Sequence, residues 1–586
     1  MFKLFKYFSI KEWILSLVVV LLVFVACYSD LQLPDLMEKI IREIMIIGNN
    51  NPVIAAMGDK AVIYRNGLIM LGYVSLSLVS NVIVCLLAAR IGSGLSLKLR
   101  SEVFHKVESF SLQEIDKFST ASLITRTTND ITQIQTVMIM MFRIAIASPI
   151  TAVIAIFKAV DKSPNLSVVI AGAVFALITV IVSLCLIVLP KYRQIQSRTD
   201  ELNRVTRENL TGIRVIRAYN TESIEEEKFD DVNKKLTNIY IFVNNNMNIL
   251  MPALTLIMSG VSLAIVWFGS YLVHNLTLDY EVLTTFTQYA MQVIISFMML
   301  SMFLIFFPRA QVSAKRVLEV LNTKNLIVDP KVPQQSTDIE GEVEFRNVAF
   351  RYEDASDDVV SNISFKVKKG ETLAIIGATG SGKSTIINLI PRLYDVTAGE
   401  VLVDGVDVRN YKLEDLRNKI GYVPQKGVLF SGTIKTNYEF GKRDLTTTDM
   451  DEASQIAQAS EFISKLDQQY DTKISQGGTN VSGGQRQRLS IARALIKKPE
   501  ILIFDDSFSA LDYKTDKKLR AALKEHTKNT TNIIVAQRIG TIIDADQIIV
   551  LDEGKIVGKG THRELLDTCE VYQEIALSQL SKEELE

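Results

Sequence analysis

Up to about Asn322 the chain is a succession of long apolar runs, near 13–33, 61–89, 139–160, 165–189, 247–273 and 282–307. A helix rises about 1.5 Å per residue, so each run can cross a hydrocarbon core of about 30 Å. Beyond Asn322 the pattern changes. Short β-branched runs such as 372–376 and 501–504 alternate with charges and glycines, as in a soluble layered α/β domain. The pattern predicts an α-helical membrane domain of six transmembrane helices over 1–322, a polar, proline-containing linker over 323–340, and a soluble α/β domain over 341–586. A chain of 586 residues also exceeds what one hydrophobic core organises.

Charge gives the membrane half an orientation. Lys98, Arg100, Lys106, Lys117 and Arg126 fall between the second and third runs, and Lys191, Arg198, Arg204, Arg207, Arg214 and Arg217 between the fourth and fifth. The opposite loops carry fewer bases, Lys60 and Lys162 among them, so both termini are expected in the cytoplasm and the protein in the cell membrane. The start, with Lys3 and Lys6 among aromatics, reads as an amphipathic lead-in on the membrane surface. Both basic loops are too long for turns and carry helical periodicity, for example Leu99, Val103 and Val107. They are expected to reach below the membrane and dock a soluble domain at tips near 112–118 and 217–223.

The sixth run is rich in Met298, Met299, Met302, Phe303, Phe306 and Phe307, which suit varied apolar ligands as well as ordinary packing. Gln288, Gln292, Asn81 and Asn248 are penalised in lipid, so a protein interface or a water-filled path is expected for them, and Asp30 stands near the outer boundary. The 64 Lys and Arg against 65 Asp and Glu leave no basic excess that would point to nucleic acid. Cys27, Cys85, Cys185 and Cys569 lack the spacing of a metal or redox motif.

The chemistry lies in the second half. Gly377-Ala378-Thr379-Gly380-Ser381-Gly382-Lys383-Ser384-Thr385 follows a predicted strand and opens a helix, the context in which a glycine-rich loop closes its amides on phosphates. Lys383 would neutralise the terminal phosphates and Ser384 would offer a hydroxyl to Mg²⁺. The apolar strand 501–504 ends in Asp505, a carboxylate placed to hold magnesium through water. Between these lies Ser482-Gly483-Gly484-Gln485, whose glycines open a further helix.

That combination resembles the ABC transporter superfamily, and with a lead-in, six spans, a linker and this domain in order the resemblance covers essentially the whole chain. It implies ATP and Mg²⁺, with Tyr352 stacking on adenine and Gln425 reaching the magnesium and coupling to the membrane half. It implies a head-to-tail pair of ATPase domains, in which Ser482, Gly483, Gly484 and Gln485 complete the ATP site of a partner chain.

Two positions depart from that pattern. Asp506 stands where the family carries glutamate to polarise the attacking water, and Gln537 where it carries a histidine. A glutamine neither takes up a proton nor carries a positive charge. The departures imply a site that binds ATP and hydrolyses it poorly, and a homologous partner subunit supplying the competent glutamate and histidine. The chain is similar to one subunit of the heterodimeric multidrug exporters of bacteria, which move amphipathic drugs or other hydrophobic compounds by alternating access. A lipid, peptide or lipopeptide exporter, or a mainly regulatory ATP-binding subunit, is the alternative.

Overall fold

The computed structural model describes residues 1–48, 55, 58–334, 339–353 and 355–580, so part of the expected linker, 335–338, lies outside the described residues. The chain forms two compact units. One is Met1–Val107 with Ala121–Thr323, and the other is Lys324–Glu586 with Glu108–Thr120.

In the first unit, six helical stretches among the described residues are long and apolar enough to cross a membrane: Ile10–Ile47, Lys60–Glu108, Thr120–Lys162, Pro164–Val188, Glu222–His274 and Tyr280–Asn322. Ser9 caps the first of them reciprocally with Glu12, as a helix start with orphan amides requires. The lead-in Phe2–Tyr7 forms a 3₁₀ turn whose Phe5 meets Phe8 and Trp13 at ring distances of 5.0 and 5.7 Å.

The first span breaks at Leu31 and restarts as Leu33–Ile47 with Pro34 in its first turn, where a missing amide costs nothing. Lys158, inside the third apolar run and passed over in the sequence reading, is used at this break. Its ammonium donates to Leu31 O at 2.9 Å, to Gln32 Oε1 at 3.2 Å and to the Asp35 carboxylate. The hydroxyl of buried Tyr289 donates to the same Leu31 carbonyl at 3.2 Å. All three ammonium protons are satisfied, which is what lets a cation sit within an apolar helix. Of the sixth-span residues singled out above, Phe303 is buried and Met299 and Met302 are exposed on this unit, as are Gln288, Asn81 and Asn248.

The second unit is built on a six-stranded sheet. With β1 (Val343–Phe350), β2 (Val360–Val367), β3 (Thr372–Gly377), β4 (Ala398–Val403), β5 (Val406–Asp407), β6 (Ile420–Val423), β7 (Gly432–Thr433), β8 (Lys473–Ile474), β9 (Ile501–Asp505), β10 (Thr531–Val535), β11 (Gln547–Asp552) and β12 (Lys555–Gly560), its order is β12-β11-β3-β10-β9-β6. β11, β3, β10, β9 and β6 run parallel. A second sheet has the order β2-β1-β4-β5. Alternation sets the two faces of the parallel sheet. Ala374, Ile376, Leu502, Phe504 and Ile534 enter one core and Leu373, Ile375, Ile501, Ile503 and Ile533 the other. Both faces are covered, as parallel strands require.

The segment Leu112–Phe118, expected as a docking tip, is a short helix held within this unit. Its Leu112 packs on the core that contains Phe350 and Tyr394. Buried Glu114 takes Ser111 N at 2.7 Å and Leu326 N at 2.6 Å. Burial pushes this carboxyl up, but the bonds from Ser111 and Leu326 outweigh it and hold it below its ordinary value. One carboxylate therefore caps this helix and ties it to Leu326.

Candidate functional site

Parallel order brings the expected motifs to one edge. β3 ends at Gly377, β9 at Asp505 and β10 at Val535, with Val535 level with both Ile375 and Asp505, and β6 ends two residues before Gln425. Ligands of open α/β sheets bind outside these carboxyl ends.

The loop after β3 leads into the helix Lys383–Leu389. Two of its glycines are obligatory. Gly382 has φ +93°, and a Cβ there would meet Val360 Cγ1 at 2.5 Å, while one on Gly377 would meet Leu551 O at 2.1 Å. Lys383 donates to Gly377 O at 2.8 Å and Ala378 O at 2.6 Å, so its ammonium is folded onto the loop. Burial lowers its proton affinity and the charges of Asp506 and Asp505 pull it back up. Ala378, Thr379, Gly380 and Ser384 form the exposed rim, whereas Ser381 and Thr385 are buried. Tyr352 is half-buried, its hydroxyl 3.3 Å from Thr385 Oγ1 and its ring edge-on to Tyr394 at 5.4 Å. The Tyr394 hydroxyl donates to Asp116 Oδ2 of the docking helix at 3.1 Å.

Ser384 Oγ donates to Asp505 Oδ1 at 2.9 Å. Burial pushes the Asp505 carboxyl up, the Ser384 bond opposes this, and the neighbouring Asp506 charge adds to the rise. A hydroxyl beside a carboxylate whose charge burial disfavours fits a hard divalent cation such as Mg²⁺, which would relieve that cost.

Asp506 is almost wholly buried and sits in left-handed backbone at φ +44°, a conformation that aspartate tolerates better than most residues. Its Oδ2 accepts two amides, Gln537 Nε2 at 2.9 Å and Gln425 Nε2 at 3.1 Å. The two departures from the family pattern are thus bonded to each other, and among the described residues no imidazole bonds to this carboxylate.

Ser482 caps the helix Gly483–Ile496: its Oγ accepts from Gln485 N at 3.2 Å and its own N donates to Gln485 Oε1 at 2.9 Å. Ser482 and Gly483 are exposed, and the Ser482 hydroxyl bonds within this cap rather than to the Lys383 loop. Buried Gln487 was missed by sequence reasoning. It accepts from Gly427 N at 2.9 Å and donates to Pro424 O at 3.1 Å, fastening the helix Gly483–Ile496 to the Gln425 loop. Its place in the Arg486-Gln487-Arg488 run was the available signal.

These features define an ATPase unit joined to a multi-pass membrane unit. Family models agree: residues 13–297 match the ABC transporter transmembrane region and residues 360–509 the ABC transporter domain. An uncharacterized ABC transporter ATP-binding protein of Mycobacterium tuberculosis is 41% identical over 528 residues, covering 89% of this chain and 90% of that protein. An ATP-dependent lipid A-core flippase of Syntrophus aciditrophicus is 32% identical over 486 residues, 82% of this chain and 80% of that one. A putative multidrug export ATP-binding/permease protein of Bacillus subtilis is 32% identical over 478 residues, 81% of this chain and 82% of that one. The fold matches the structure of a bacterial Atm1-family ABC exporter with ATP bound, at a TM-score of 0.77 and 24% identity over 96% of this chain and 97% of that one. The chain belongs to the ABC transporter family, as an exporter half with its ATPase domain in the cytoplasm.

Proposed function

We propose that this chain is one subunit of a heterodimeric exporter of amphipathic drugs or other hydrophobic compounds, and that its own nucleotide site holds Mg-ATP and hydrolyses it poorly. The observation that carries this is the Asp506 carboxylate. Its Oδ2 is engaged by two amide donors, Gln425 and Gln537, so one of its two oxygens is already occupied and the carboxylate is held back from water, and the residue at 537 has no basic nitrogen. Binding is assigned to Tyr352 for adenine, to Gly377, Thr379, Gly380, Ser381, Gly382, Lys383 and Thr385 for the phosphates, and to Ser384, Asp505 and Gln425 for Mg²⁺. The ion supplies charge neutralisation at the terminal phosphates.

Ser482, Gly483, Gly484 and Gln485 are assigned to the partner's ATP. The exposed amides at the start of Gly483–Ile496 are an anion site in search of a phosphate, and a homologous partner carrying glutamate and histidine would make that second site competent. ATP-driven closure of the paired domains would reach the membrane helices through Leu112–Phe118, which switch between inward- and outward-open states. The resemblance to a lipid A-core flippase supports a second reading, export of a lipid, on the same machinery.

Reconstitution in liposomes separates these readings. Drug-stimulated ATP hydrolysis is measured for this chain alone, for a candidate partner alone and for the pair. The pair is expected to exceed either chain alone. Equal rates for this chain alone and for the pair would refute the heterodimer, and stimulation by lipid but not by drug would favour the second reading.

A further inference from the structure

The C-terminal helix reaches back to position 537. The helix Glu570–Leu577 ends with Ser578, and Leu580 N bonds to Ala576 O at 3.0 Å, a turn that presents Gln579. The amide Oε1 of Gln579 accepts from Ile539 N at 2.8 Å, and its Nε2 donates to Gln537 O at 2.8 Å. Between those two residues Arg538 is extended, with φ −109° and ψ 127°. In extended backbone the carbonyl of one residue and the amide of the second residue onward point to the same side. A primary amide offers one acceptor and one donor in a single plane, so Gln579 pairs with this segment as a neighbouring strand would.

The need for it is local. Ile539 opens a four-residue helix, Ile539–Ile542, whose N-cap Arg538 makes no side-chain cap bond, and a first-turn amide has no acceptor inside its own helix. Gln579 supplies the acceptor from a segment 40 residues on. On the other side of the same residue, the Gln537 side chain reaches Asp506 Oδ2 at 2.9 Å. A backbone free to turn at 537 would swing that side chain off the carboxylate.

We propose that Gln579 is a positioning residue for the nucleotide site. By clamping the backbone from Gln537 to Ile539 it holds whatever side chain occupies position 537 against the carboxylate at 506. The inference rests on the reading that 506 and 537 are the hydrolysis positions, and the experiment keeps the two apart.

The full chain is prepared in nanodiscs with Asp506→Glu and Gln537→His, then with Gln579→Ala or Gln579→Glu added. Gln579→Ala is expected to lower kcat about tenfold with KM for ATP unchanged, and to speed hydrogen exchange at the Ile539 amide. Gln579→Glu, which keeps the acceptor for Ile539 N but sets a carboxylate against Gln537 O, is expected to fall between. Unchanged exchange at Ile539 refutes the clamp. Faster exchange with unchanged kcat shows a fastening that does not position the site, and also overturns the proposal. If Asp506→Glu with Gln537→His adds no hydrolysis, the assignment of those positions falls instead. The clamp is then judged on the residual turnover of the unsubstituted chain, where Gln579→Ala must still lower kcat at constant KM.

Discussion

Restoring glutamate at 506 and histidine at 537 is the perturbation that bears most directly on the chemistry. Asp506 places its carboxylate one methylene short of a glutamate, a withdrawal of about 1.5 Å, and misplacement on that scale costs on the order of a hundredfold in rate. A hundredfold corresponds to about 2.7 kcal/mol of barrier. The local geometry adds to this, because Oδ2 is held at 2.9 Å by Gln537 and 3.1 Å by Gln425. Replacing Gln537 removes one of those donors and supplies an imidazole. The two changes act on one hydrogen-bonded group, so their effects are expected to be non-additive, with each single substitution giving well under half of the combined logarithmic gain. Glutamate at φ +44° carries some strain, which a thermal unfolding control reads separately. The assay is single-turnover hydrolysis of radiolabelled ATP by the chain in nanodiscs. A gain of about a hundredfold at constant ATP affinity is expected. A double variant within threefold of the parent that still binds ATP refutes the reasoning.

Three further outcomes follow from the geometry. Tyr394→Phe and Asp116→Ala remove the same hydrogen bond between the aromatic cluster of Phe350, Tyr352 and Tyr394 and the helix Leu112–Phe118, so each should reduce ATP hydrolysis and the pair should reduce it no further than either alone; additive losses would show that the bond is not the shared cause. Glu114, held below its ordinary value of 4.5, contributes to the fastening of Leu112–Phe118 in full above that value. The contribution is lost as pH falls through the lower native value, so limited proteolysis around 108–120 should rise in acid for the parent, whereas Glu114→Gln should be cleaved already at neutral pH. Lys158→Met leaves Leu31 O and Gln32 without their cation and Asp35 with Lys162 alone, at 3.4 Å, and should destabilise the membrane unit by about 1–2 kcal/mol, read as a loss of thermal stability in detergent; Lys158→Met with Asp35→Asn should recover part of it.

The membrane half was legible because lipid imposes a length and a composition that no local accident reproduces, and the phosphate loop was legible because its glycines, lysine and serine must be contiguous to wrap one ligand. The same holds for the departures at 506 and 537, since each is the replacement of one residue within a recognisable run. The segment 112–118 was read as a tip from the length and helical periodicity of the loop around it, but its attachment through Glu114 to Leu326 joins residues 212 apart and leaves no periodic trace. Lys158 was passed over because a single base inside an apolar run looks like noise until Leu31, Gln32 and Asp35 are seen to surround it.

What the amino-acid order by itself determined was which groups this protein has: six apolar spans, a glycine-rich loop between a strand and a helix, a carboxylate at the end of an apolar strand, a Ser-Gly-Gly-Gln helix start, and Asp506 and Gln537. What only the tertiary structure decided was which of those groups touch. Asp506 meets Gln425 and Gln537, 81 and 31 residues away, because the order β3-β10-β9-β6 sets their strand ends side by side, and Gln579 meets Gln537 because the turn after Glu570–Leu577 lies against the segment that follows β10. Hydrogen bonds form only within about 3 Å, and positions to that tolerance are set by strand order and packing, to which periodicity along the chain is blind.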